Sequence, residues 1–360
     1  MSVMTMNKLE VGILGATGMV GQRLASLLEN HPWFELRWLA ASDRSAGKKY
    51  AEACNWRLRD PMPAAVRDLV VNDCVPNGAA PQLLFASLDS KVAGEVEGAF
   101  ARAGHAVVSN SSYYRMVPGV PLVIPEVNPG HLALIRDQRR KHGWPGMIVT
   151  NPNCTTVGLA MSLAPLERAF GLARVMMTSM QAVSGAGYPG VPTLDILGNV
   201  IPYIGGEEEK VEAETQKLLG VLDVDSSHDG HVKPGNFAVS AQCNRVLVED
   251  GHMETVSVEL RSKASADQLL ASWRGFEAPT EVRSLPSAPR RPVVVRDEPD
   301  RPQPKFDVNT ESGMAAVVGR LRACPVLDYK YVVLSHNTIR GAAGAALLNA
   351  ELMKAEGYLD

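Results

Sequence analysis

The chain has 360 residues, a net charge of −3 at pH 7, 46% hydrophobic residues and 21% charged residues. This length and composition are typical of a globular protein with about two domains. The near-neutral charge excludes the broad positive field that a non-specific nucleic-acid binder needs. No apolar run is long enough for a membrane span, and residues 1–10 contain no signal-peptide core.

Five cysteines are scattered along the chain without a C-x-x-C pair, so neither a zinc site nor a disulfide framework is predicted. They are Cys54, Cys74, Cys154, Cys243 and Cys324. We expect a cytoplasmic enzyme with a small-molecule substrate, no metal, and no membrane or nucleic-acid partner.

Short apolar runs alternate with helical patterns over the first 150 residues. Residues 21–30 carry Leu24, Leu27 and Leu28 on one helical face, and residues 91–103 predict a second helix. Strands are predicted at residues 9–14, 36–41, 70–71, 83–86 and 106–109. Strands that alternate with helices predict an α/β domain with a parallel sheet covered on both faces.

The pattern changes near residue 151. A helix predicted at 156–170 is followed by segments rich in β-branched and apolar residues, which predict longer strands of an antiparallel or mixed sheet. These segments are 175–182, 237–242 and 254–260. Seven prolines lie between residues 279 and 304, and we interpret this stretch as an excursion on the surface of the second domain. Residues 337–358 are alanine-rich and predicted to be helical.

A glycine-rich loop joins the first predicted strand to the first predicted helix. Its sequence is Gly12-Ile-Leu-Gly15-Ala-Thr-Gly18-Met-Val-Gly21, with the spacing G-x-x-G-x-x-G instead of G-x-G-x-x-G. Such a loop lets backbone N–H groups approach a pyrophosphate, and the helix N-terminus adds partial positive charge. The context predicts a dinucleotide site, and an ordinary strand-to-helix turn is the alternative.

The loop after the second predicted strand bears on the choice of dinucleotide. An acidic residue there binds a ribose 2′-hydroxyl and favours NAD, whereas an arginine accommodates a 2′-phosphate and favours NADP. The loop carries both Asp43 and Arg44, with Ser42, Ser45 and Lys48 beside them. The basic and hydroxyl residues favour NADP, and a polar surface loop is the alternative.

Cys154 lies just before the helix predicted at 156–170, within Asn151-Pro-Asn-Cys154-Thr-Thr156. The dipole of a helix stabilises a thiolate at its N-terminus, and Thr155 and Thr156 can help to cap the helix. A thiolate attacks carbonyl and acyl carbons readily. Cys154 is therefore a candidate nucleophile, and a buried structural cysteine is the alternative.

Two histidines could serve as its acid–base partner. His252 follows a turn and opens a predicted strand, and His336 flanks another strand of the second domain. A histidine tuned near neutrality can draw a thiol proton and later return a proton to a departing group. Spacing alone does not choose between the two, and a structural role is open for each.

Further charged residues lie in polar loops and at element ends. A helix predicted at 207–219 begins with three glutamates, which complement the helix dipole in the simplest interpretation. Arg245 and Arg115 lie near predicted strand ends, where a guanidinium can hold a carboxylate or a phosphate. A solvated surface charge is the alternative for each arginine.

Taken together, these segments resemble the aspartate-β-semialdehyde dehydrogenases of the branch found in archaea, fungi and some bacteria. The resemblance runs along nearly the whole chain, and its Asn-Cys-Thr and Asp-Gly-His segments are specific in combination. The matching segments are 15–21, 42–50, 109–112, 125–128, 151–156, 184–187, 205–210, 250–252 and 335–344.

The resemblance implies a fold of the glyceraldehyde-3-phosphate dehydrogenase type. An N-terminal Rossmann domain at 1–150 would be completed by a C-terminal helix at 337–360. An α+β catalytic and dimerisation domain would span 151–336. The resemblance also implies a homodimer or homotetramer.

The resemblance further implies roles for individual residues. The nucleophile falls on Cys154, the general acid–base on His252, and the arginine that binds the amino-acid substrate on Arg245. The acid that binds the substrate falls on Glu207 or Glu208. The residues implied to hold phosphate are Lys210 and, in the Asn/Ser/Arg loop, Asn110, Ser112 or Arg115. The residues implied to bind NADP are Gly15, Thr17, Gly18, Met19, Val20, Ser42, Arg44, Ser45, Ser87, Ser184, Gly185, Gly187 and Asn337.

The implied reaction is the NADP-dependent reductive dephosphorylation of L-aspartyl 4-phosphate, through a cysteine thioester, in lysine, threonine and methionine biosynthesis. Malonyl-CoA reductases and N-acetylglutamyl-phosphate reductases share this logic on other acyl groups. A Cys/His acyl-transfer hydrolase and a non-enzymatic NADP-sensing protein are more distant alternatives.

Overall fold

The computed structural model describes residues 8–223 and 230–359. Residues 1–7, in which no signal core is expected, lie outside this described part. Residues 224–229 and 360 also lie outside it. The first seven residues of the predicted domain 1–150 and the last residue of the predicted helix 337–360 are therefore not described.

In the described residues the strands are β1 (Leu9–Leu14), β2 (Phe34–Ala41), β3 (Val71–Asp73), β4 (Leu83–Ala86), β5 (Ala106–Ser109), β6 (Met147–Thr150), β7 (Leu172–Gln181), β8 (Val221–Asp223), β9 (His231–Lys233), β10 (Ala238–Arg245), β11 (His252–Leu260), β12 (Val293–Arg296), β13 (Ala316–Ala323) and β14 (Tyr329–Ser335). The α-helices are α1 (Met19–Leu27), α2 (Tyr50–Ala53), α3 (Ser90–Arg102), α4 (Leu134–His142), α5 (Cys154–Phe170), α6 (Thr193–Ile196), α7 (Glu207–Leu218), α8 (Ala266–Arg274), α9 (Thr280–Arg283), α10 (Pro304–Asp307) and α11 (Gly344–Ala355). A π-helical turn, Ile339–Ala343, leads directly into α11.

The first sheet is parallel throughout, with the strand order β3-β2-β1-β4-β5-β6. The chain runs outward in opposite directions from β1 and β4, so the carboxyl ends of these two strands border the crevice where such sheets bind dinucleotides. The α/β prediction for this half is confirmed.

The second sheet is mixed, with the order β10-β7-β11-β14-β13-β12. The pairs β7–β11, β11–β14 and β13–β14 are antiparallel, and the outer pairs β7–β10 and β12–β13 are parallel. Helices α5 and α8 pack on one face of this sheet, and Trp273 of α8 and Val258 of β11 are both fully buried in the cluster between them. The predicted strands at 175–182, 237–242 and 254–260 are all present, with shifted ends.

The C-terminal helix returns to the first domain. Leu348 and Leu352 of α11 are fully buried in one apolar cluster with Val11 and Ile13 of β1. A buried ion pair holds the preceding π-helical turn, because both terminal nitrogens of Arg340 donate to the Glu126 carboxylate at 2.8 Å. The segment that follows β14 is therefore fixed between the two domains.

The interpretation of residues 279–304 as a surface excursion is wrong in two places. Val293 and Val294 begin β12, which pairs with β13 at the sheet edge, and each is only 4% exposed. Val282 and Leu285 are buried in the cluster that contains β1. The prolines lie outside β12, so the valines of this strand keep the N–H groups that an edge strand needs.

The fold also bears on membrane association. Within residues 8–223 and 230–359, no helix combines the length and the apolar character that crossing a membrane requires.

Candidate active site

Four of the predicted site residues stand at the ends of elements. Cys154 begins α5, Glu207 begins α7, His252 begins β11 and Arg245 ends β10. These ends lie close together, so residues far apart in the chain contribute to one site. His252 is fully buried, and Arg245 and Glu207 are 6% and 7% exposed.

The structure pairs Cys154 with His252. The Sγ of Cys154 lies 3.3 Å from the Nε2 of His252. The backbone N–H of Ala182 donates to the Nδ1 of His252 at 3.1 Å, so the proton of the neutral ring is on Nε2 and points at the sulfur. His336 instead accepts the backbone N–H of Thr338 through its Nδ1 at 3.3 Å.

Both members of this pair are neutral in the resting site. Burial and then the Glu207 carboxylate raise the pKa of the Cys154 thiol to about 12, against the opposing charges of Arg115 and Arg245. Burial, followed by the charge of Arg245, lowers the pKa of His252 to about 3. Desolvation therefore outweighs the stabilisation that the helix dipole gives to a thiolate, and the thiol is the resting form of Cys154.

The N-terminus of α5 is capped by Asn153, and the prediction that Thr155 and Thr156 cap it is wrong. The Oδ1 of Asn153 accepts the backbone N–H of Thr155 at 2.8 Å and that of Thr156 at 3.2 Å. The threonines supply the N–H groups, while Asn153 supplies the accepting side chain and has the non-helical backbone angles (φ −55°, ψ 144°) that an N-cap requires. The helix consequently begins at Cys154, two residues before the predicted start.

Helix α7 presents its acidic first turn to this site. The Oε1 of Glu207 accepts from the Nδ2 of Asn153 at 2.9 Å, and the Nζ of Lys210 lies 3.9 Å from the Oε2 of Glu207. Glu208 is directed elsewhere, because its Oε1 accepts the backbone N–H of Cys243 in β10 at 2.9 Å. Of the two predicted acids, the structure brings Glu207 to Cys154.

Arg115 also reaches the site from the loop after β5. It is 7% exposed, and its Nη2 donates to the carbonyl oxygen of Asn110 at 2.7 Å. The side chain of Asn110 is already engaged, since it donates to the Ala86 carbonyl and accepts from Asn151. Ser112 is partly buried in the same loop. Of the three predicted phosphate ligands in this loop, Arg115 is the one that places a positive charge near Cys154, and its buried Nε has no hydrogen-bond partner among the described residues.

The sequence analysis missed a second acidic residue of α7. Glu214 is 1% exposed, and its carboxylate accepts from the Nη1 of Arg115 at 3.0 Å and from the backbone N–H of Asn153 at 2.6 Å. Its spacing of seven residues from Glu207 places both glutamates on one helical face. That spacing is the sequence signal that could have identified it.

Arg245 and the loop 184–187 cover the cysteine–histidine pair. The Nη1 of Arg245 donates to the Ala182 carbonyl at 2.7 Å. Gly185 packs so closely that a Cβ there would lie 2.8 Å from the Nη1 of Arg245 and 3.0 Å from the Nε2 of His252. The loop is therefore directly above the reacting pair.

Asn337 joins three parts of the site. Its Nδ2 donates to the Oγ of Ser184 at 2.8 Å, and its Oδ1 accepts the backbone N–H of Gly251 at 2.8 Å. Because Gly251 precedes His252, Asn337 links the loop 184–187 to the strand that carries the histidine. Gly187 ends the 3-10 turn of this loop with a φ of 69°.

The glycine loop has a geometry that suits a pyrophosphate. Gly15 has a φ of 80°, and a Cβ there would lie 2.6 Å from the Ser87 carbonyl oxygen, so only glycine fits this turn. Gly18 is the N-cap of α1 and supplies no side-chain cap. The N-terminal turn of α1, with Met19 and Val20, therefore begins at the carboxyl edge of β1 without a competing side chain. Thr17 lies in the same loop, where its carbonyl accepts from the Nε2 of Gln22.

The loop after β2 leaves both candidate ribose contacts at the surface. Ser42, Asp43 and Arg44 are exposed, and Ser45 is partly buried. Lys48 folds back to donate its Nζ to the Arg44 carbonyl at 2.8 Å. The geometry of this loop is compatible with either dinucleotide.

Together these contacts describe a site for covalent acyl chemistry. A cysteine sulfur can attack an acyl carbon. The histidine N–H beside that sulfur can stabilise the oxyanion that forms. Two buried arginines can bind anionic groups beside it. A dinucleotide-binding loop in the same chain supplies the setting for an oxidoreductase. In the described part of the chain, no group of three or more His, Cys, Asp and Glu side chains is suited to a metal ion.

Comparison with known proteins identifies the family. Residues 10–135 match the profile "Semialdehyde dehydrogenase, NAD binding domain", and residues 163–340 match "Semialdehyde dehydrogenase, dimerisation domain". The chain is 52% identical to an aspartate-semialdehyde dehydrogenase of Methanothermobacter thermautotrophicus, over 95% of this chain and 98% of the relative. It is 49% identical to that of Archaeoglobus fulgidus, over 95% and 97% of the two chains.

A solved structure agrees with these relatives. The crystal structure of aspartate semialdehyde dehydrogenase with NADP from Candida albicans superposes with a TM-score of 0.88 at 42% identity, and covers 97% of this chain and 99% of that one. The resemblance stated from the sequence motifs and the predicted fold class are thereby confirmed. The chain is an oxidoreductase that belongs to the aspartate-semialdehyde dehydrogenase family.

Proposed function

We propose that this enzyme reduces L-aspartyl 4-phosphate to L-aspartate 4-semialdehyde with NADPH, with release of phosphate, in the biosynthesis of lysine, threonine and methionine. The observation that carries the proposal is the 3.3 Å contact between the Cys154 sulfur and His252, beside buried Arg245 and Glu207. The relatives named above support the choice of substrate.

The first step forms a thioester on Cys154. The Cys154 thiol loses its proton as its sulfur bonds to the acyl carbon, the bond from that carbon to the phosphate oxygen breaks, and phosphate leaves with both electrons and takes up that proton. Covalent catalysis divides one difficult reduction into two easier steps, since a thioester accepts hydride more readily than a carboxylate does. Arg115 and Lys210 would hold the phosphate as it departs.

We expect one donor, the Nε2–H of His252, for the oxyanion of each tetrahedral intermediate. The N–H groups of Thr155 and Thr156 are already bonded to Asn153. The Nε2–H of His252 is directed at the sulfur, where it can also reach an oxygen on the attacked carbon. As a donor, His252 would perform the acid part of its predicted acid–base function. The base part needs a second proton on the ring, and the Ala182 N–H disfavours a proton on Nδ1.

Two charged residues would orient the amino-acid end of the substrate. Arg245 would bind the α-carboxylate, with its position fixed by the bond to the Ala182 carbonyl. Glu207 would bind the α-ammonium, with its carboxylate held by Asn153. Binding both groups fixes the acyl carbon near the sulfur and lowers the entropic cost of attack.

NADPH, when bound, supplies the hydride that reduces the thioester. Gly15, Thr17, Gly18, Met19 and Val20 would hold its pyrophosphate, with Ser87 behind them. Ser42, Arg44 and Ser45 would hold the 2′-phosphate. Ser184, Gly185, Gly187 and Asn337 would border the nicotinamide, since this loop lies over the Cys154–His252 pair.

The same reasoning gives a domain division. Residues 1–150 with 337–360 would form the NADP-binding unit, and 151–336 the catalytic and dimerisation unit. The packing of α11 against β1 supports this division. We place the enzyme in the cytoplasm, as expected for a biosynthetic enzyme that uses NADPH.

The enzyme should reduce NADP in the presence of L-aspartate 4-semialdehyde only when phosphate or arsenate is added. Arg44→Ala should raise the KM for NADP about 10-fold or more, because a charge-assisted bond to the 2′-phosphate contributes about 1.5–3 kcal/mol. The same variant should leave the KM for NAD nearly unchanged. Phosphate-independent activity, or activity with malonyl-CoA alone, would contradict the proposed reaction.

The reactivity of Cys154 should respond in opposite directions to its two charged neighbours. Glu207→Gln should lower the pKa of the thiol and speed its alkylation by iodoacetamide at pH 8, whereas Arg245→Met should raise the pKa and slow the reaction. A tenfold rate change corresponds to about one pKa unit. In the wild-type site the rate should keep rising between pH 6 and 10 without an inflection.

This measurement needs the Cys324→Ser background, because backbone N–H groups lower the pKa of Cys324 and make it a competing target. Peptide mass spectrometry then assigns the label to Cys154. A rate plateau already reached near pH 7 would show a resting thiolate and contradict the neutral pair.

We further propose that the second sheet mediates self-association into a homodimer or homotetramer. Its face opposite α5 carries Met176, which is 52% exposed, together with partly exposed Thr178, Met180 and Met253 and exposed Thr255. An uncovered apolar sheet face of this kind is typical of an interface. It lies within residues 163–340, which match the dimerisation domain.

Met176→Glu combined with Thr255→Lys should convert the enzyme to monomers in size-exclusion chromatography with light scattering. Placing charges in a dry interface leaves them without solvent. Glu29→Lys, on the exposed surface of the first domain, is the matched control and should leave the assembly intact. An unchanged mass for the double variant would locate the interface elsewhere.

A further inference from the structure

We propose that Glu214 is a positioning residue that holds Arg115 and the nucleophile's helix in one fixed arrangement, and thereby sets the affinity for the phosphate group. This inference rests on the proposed function, in which Arg115 binds that phosphate. In this role Glu214 acts through Arg115 and the backbone of Asn153, not on the substrate itself.

A single carboxylate joins two parts of the site. The Oε1 of Glu214 accepts from the Nη1 of Arg115 at 3.0 Å, and its Oε2 accepts the backbone N–H of Asn153 at 2.6 Å. Both oxygens are used, and the residue is 1% exposed, so no water competes for these bonds. The guanidinium and the backbone next to Cys154 therefore share one rigid acceptor.

The bond to Glu214 leaves Arg115 in a defined state. Its Nη2 donates to the Asn110 carbonyl at 2.7 Å, so two separate acceptors hold the two terminal nitrogens. Its Nε is buried and has no hydrogen-bond partner among the described residues. A buried N–H without an acceptor is costly in a folded protein. An anionic oxygen of the substrate would provide the missing acceptor.

The second bond connects this arginine to the nucleophile. Asn153 immediately precedes Cys154, and its side chain caps α5 through the N–H groups of Thr155 and Thr156. Glu214 therefore acts on the backbone that begins the nucleophilic turn. The distance between the attacking sulfur and the leaving phosphate depends on both bonds of this one side chain.

Helix α7 also binds the backbone of Arg115. Lys217 lies three residues beyond Glu214 on the same helical face, and its Nζ donates to the carbonyl oxygens of Arg115 and Val120. The helix thus holds the side chain of Arg115 through the Glu214 carboxylate and the backbone of Arg115 through the Lys217 ammonium group. Such paired support indicates that the position of this arginine matters.

The test compares Glu214→Gln and Glu214→Asp with a control on the same helix. Glu212→Gln is the matched control, because the Oε1 of Glu212 accepts the backbone N–H of Ala241 at 3.0 Å, and Glu212 forms no ion pair with an arginine within residues 8–223 and 230–359. Glutamine at position 214 can still accept the Asn153 N–H through its oxygen, but its NH₂ group cannot accept from Arg115.

We measure the oxidation of L-aspartate 4-semialdehyde at varied phosphate. Glu214→Gln should raise the KM for phosphate at least 10-fold while the KM values for semialdehyde and NADP stay within twofold. Glu214→Asp, which keeps the charge on a shorter side chain, should lie between this variant and the wild type. Glu212→Gln should behave as the wild type.

A double-mutant cycle separates positioning from a general loss of structure. In an Arg115→Met background, Glu214→Gln should raise the KM for phosphate no further, since the group that it positions is gone. An equal additional rise in that background, or a fall in kcat and Tm with an unchanged KM for phosphate, would overturn the proposal.

Phosphate binding to the enzyme without turnover distinguishes failure of this proposal from failure of the proposed function. Isothermal titration of inorganic phosphate into the full chain should give a Kd at least 10-fold weaker for Glu214→Gln than for the wild type. This result would stand even if another acyl phosphate were the substrate. Equal Kd values would overturn the role of Glu214, whatever the enzyme's substrate.

Discussion

The structure of this site depends on the buried N-terminus of α5. The first backbone N–H groups of a helix have no partner within the helix, and burying them requires acceptors from elsewhere in the fold. Asn153 provides one through its side chain, and Glu214 of α7 accepts the N–H of Asn153 itself. Helix α7 must therefore dock against α5, and this docking also delivers Glu207 to Cys154. The need to satisfy one helix end thus brings Cys154, Glu207 and Arg115 together.

The same burial determines the charge state of the reacting groups. Removing Cys154 and His252 from water favours the neutral forms of both. The two arginines oppose this effect at Cys154, while Glu207 reinforces it. A substrate that neutralises Glu207 with its ammonium group would shift this balance towards the thiolate. The nucleophile would then be formed where its substrate is bound, and a free thiolate would not be exposed to oxidation or alkylation between turnovers.

Much of the fold follows from local sequence, but part of the site does not. The strands Leu83–Ala86 and Ala106–Ser109 match their predictions to the residue, because short apolar runs between turn residues have clear limits. Strand β12 was not predicted, because its three valines lie in a proline-rich stretch and are too few to show a strand periodicity. Glu214 was missed because its partners lie 61 and 99 residues away in the chain, and its spacing from Glu207 indicates a shared helical face but not what that face contacts. The prediction of a threonine cap was wrong because the position of the cap depends on the backbone angles at Asn153, which composition does not specify.

Intact-mass spectrometry can show whether the acyl group is carried on Cys154 during the reaction. The full-length enzyme is mixed with L-aspartate 4-semialdehyde and NADP in the absence of phosphate, and the reaction is stopped with acid. The mass should increase by one aspartyl group per chain, located at Cys154 by peptide mapping and removed when phosphate is added before the acid. An unmodified Cys154, together with continued phosphate-dependent turnover under the same conditions, would contradict it.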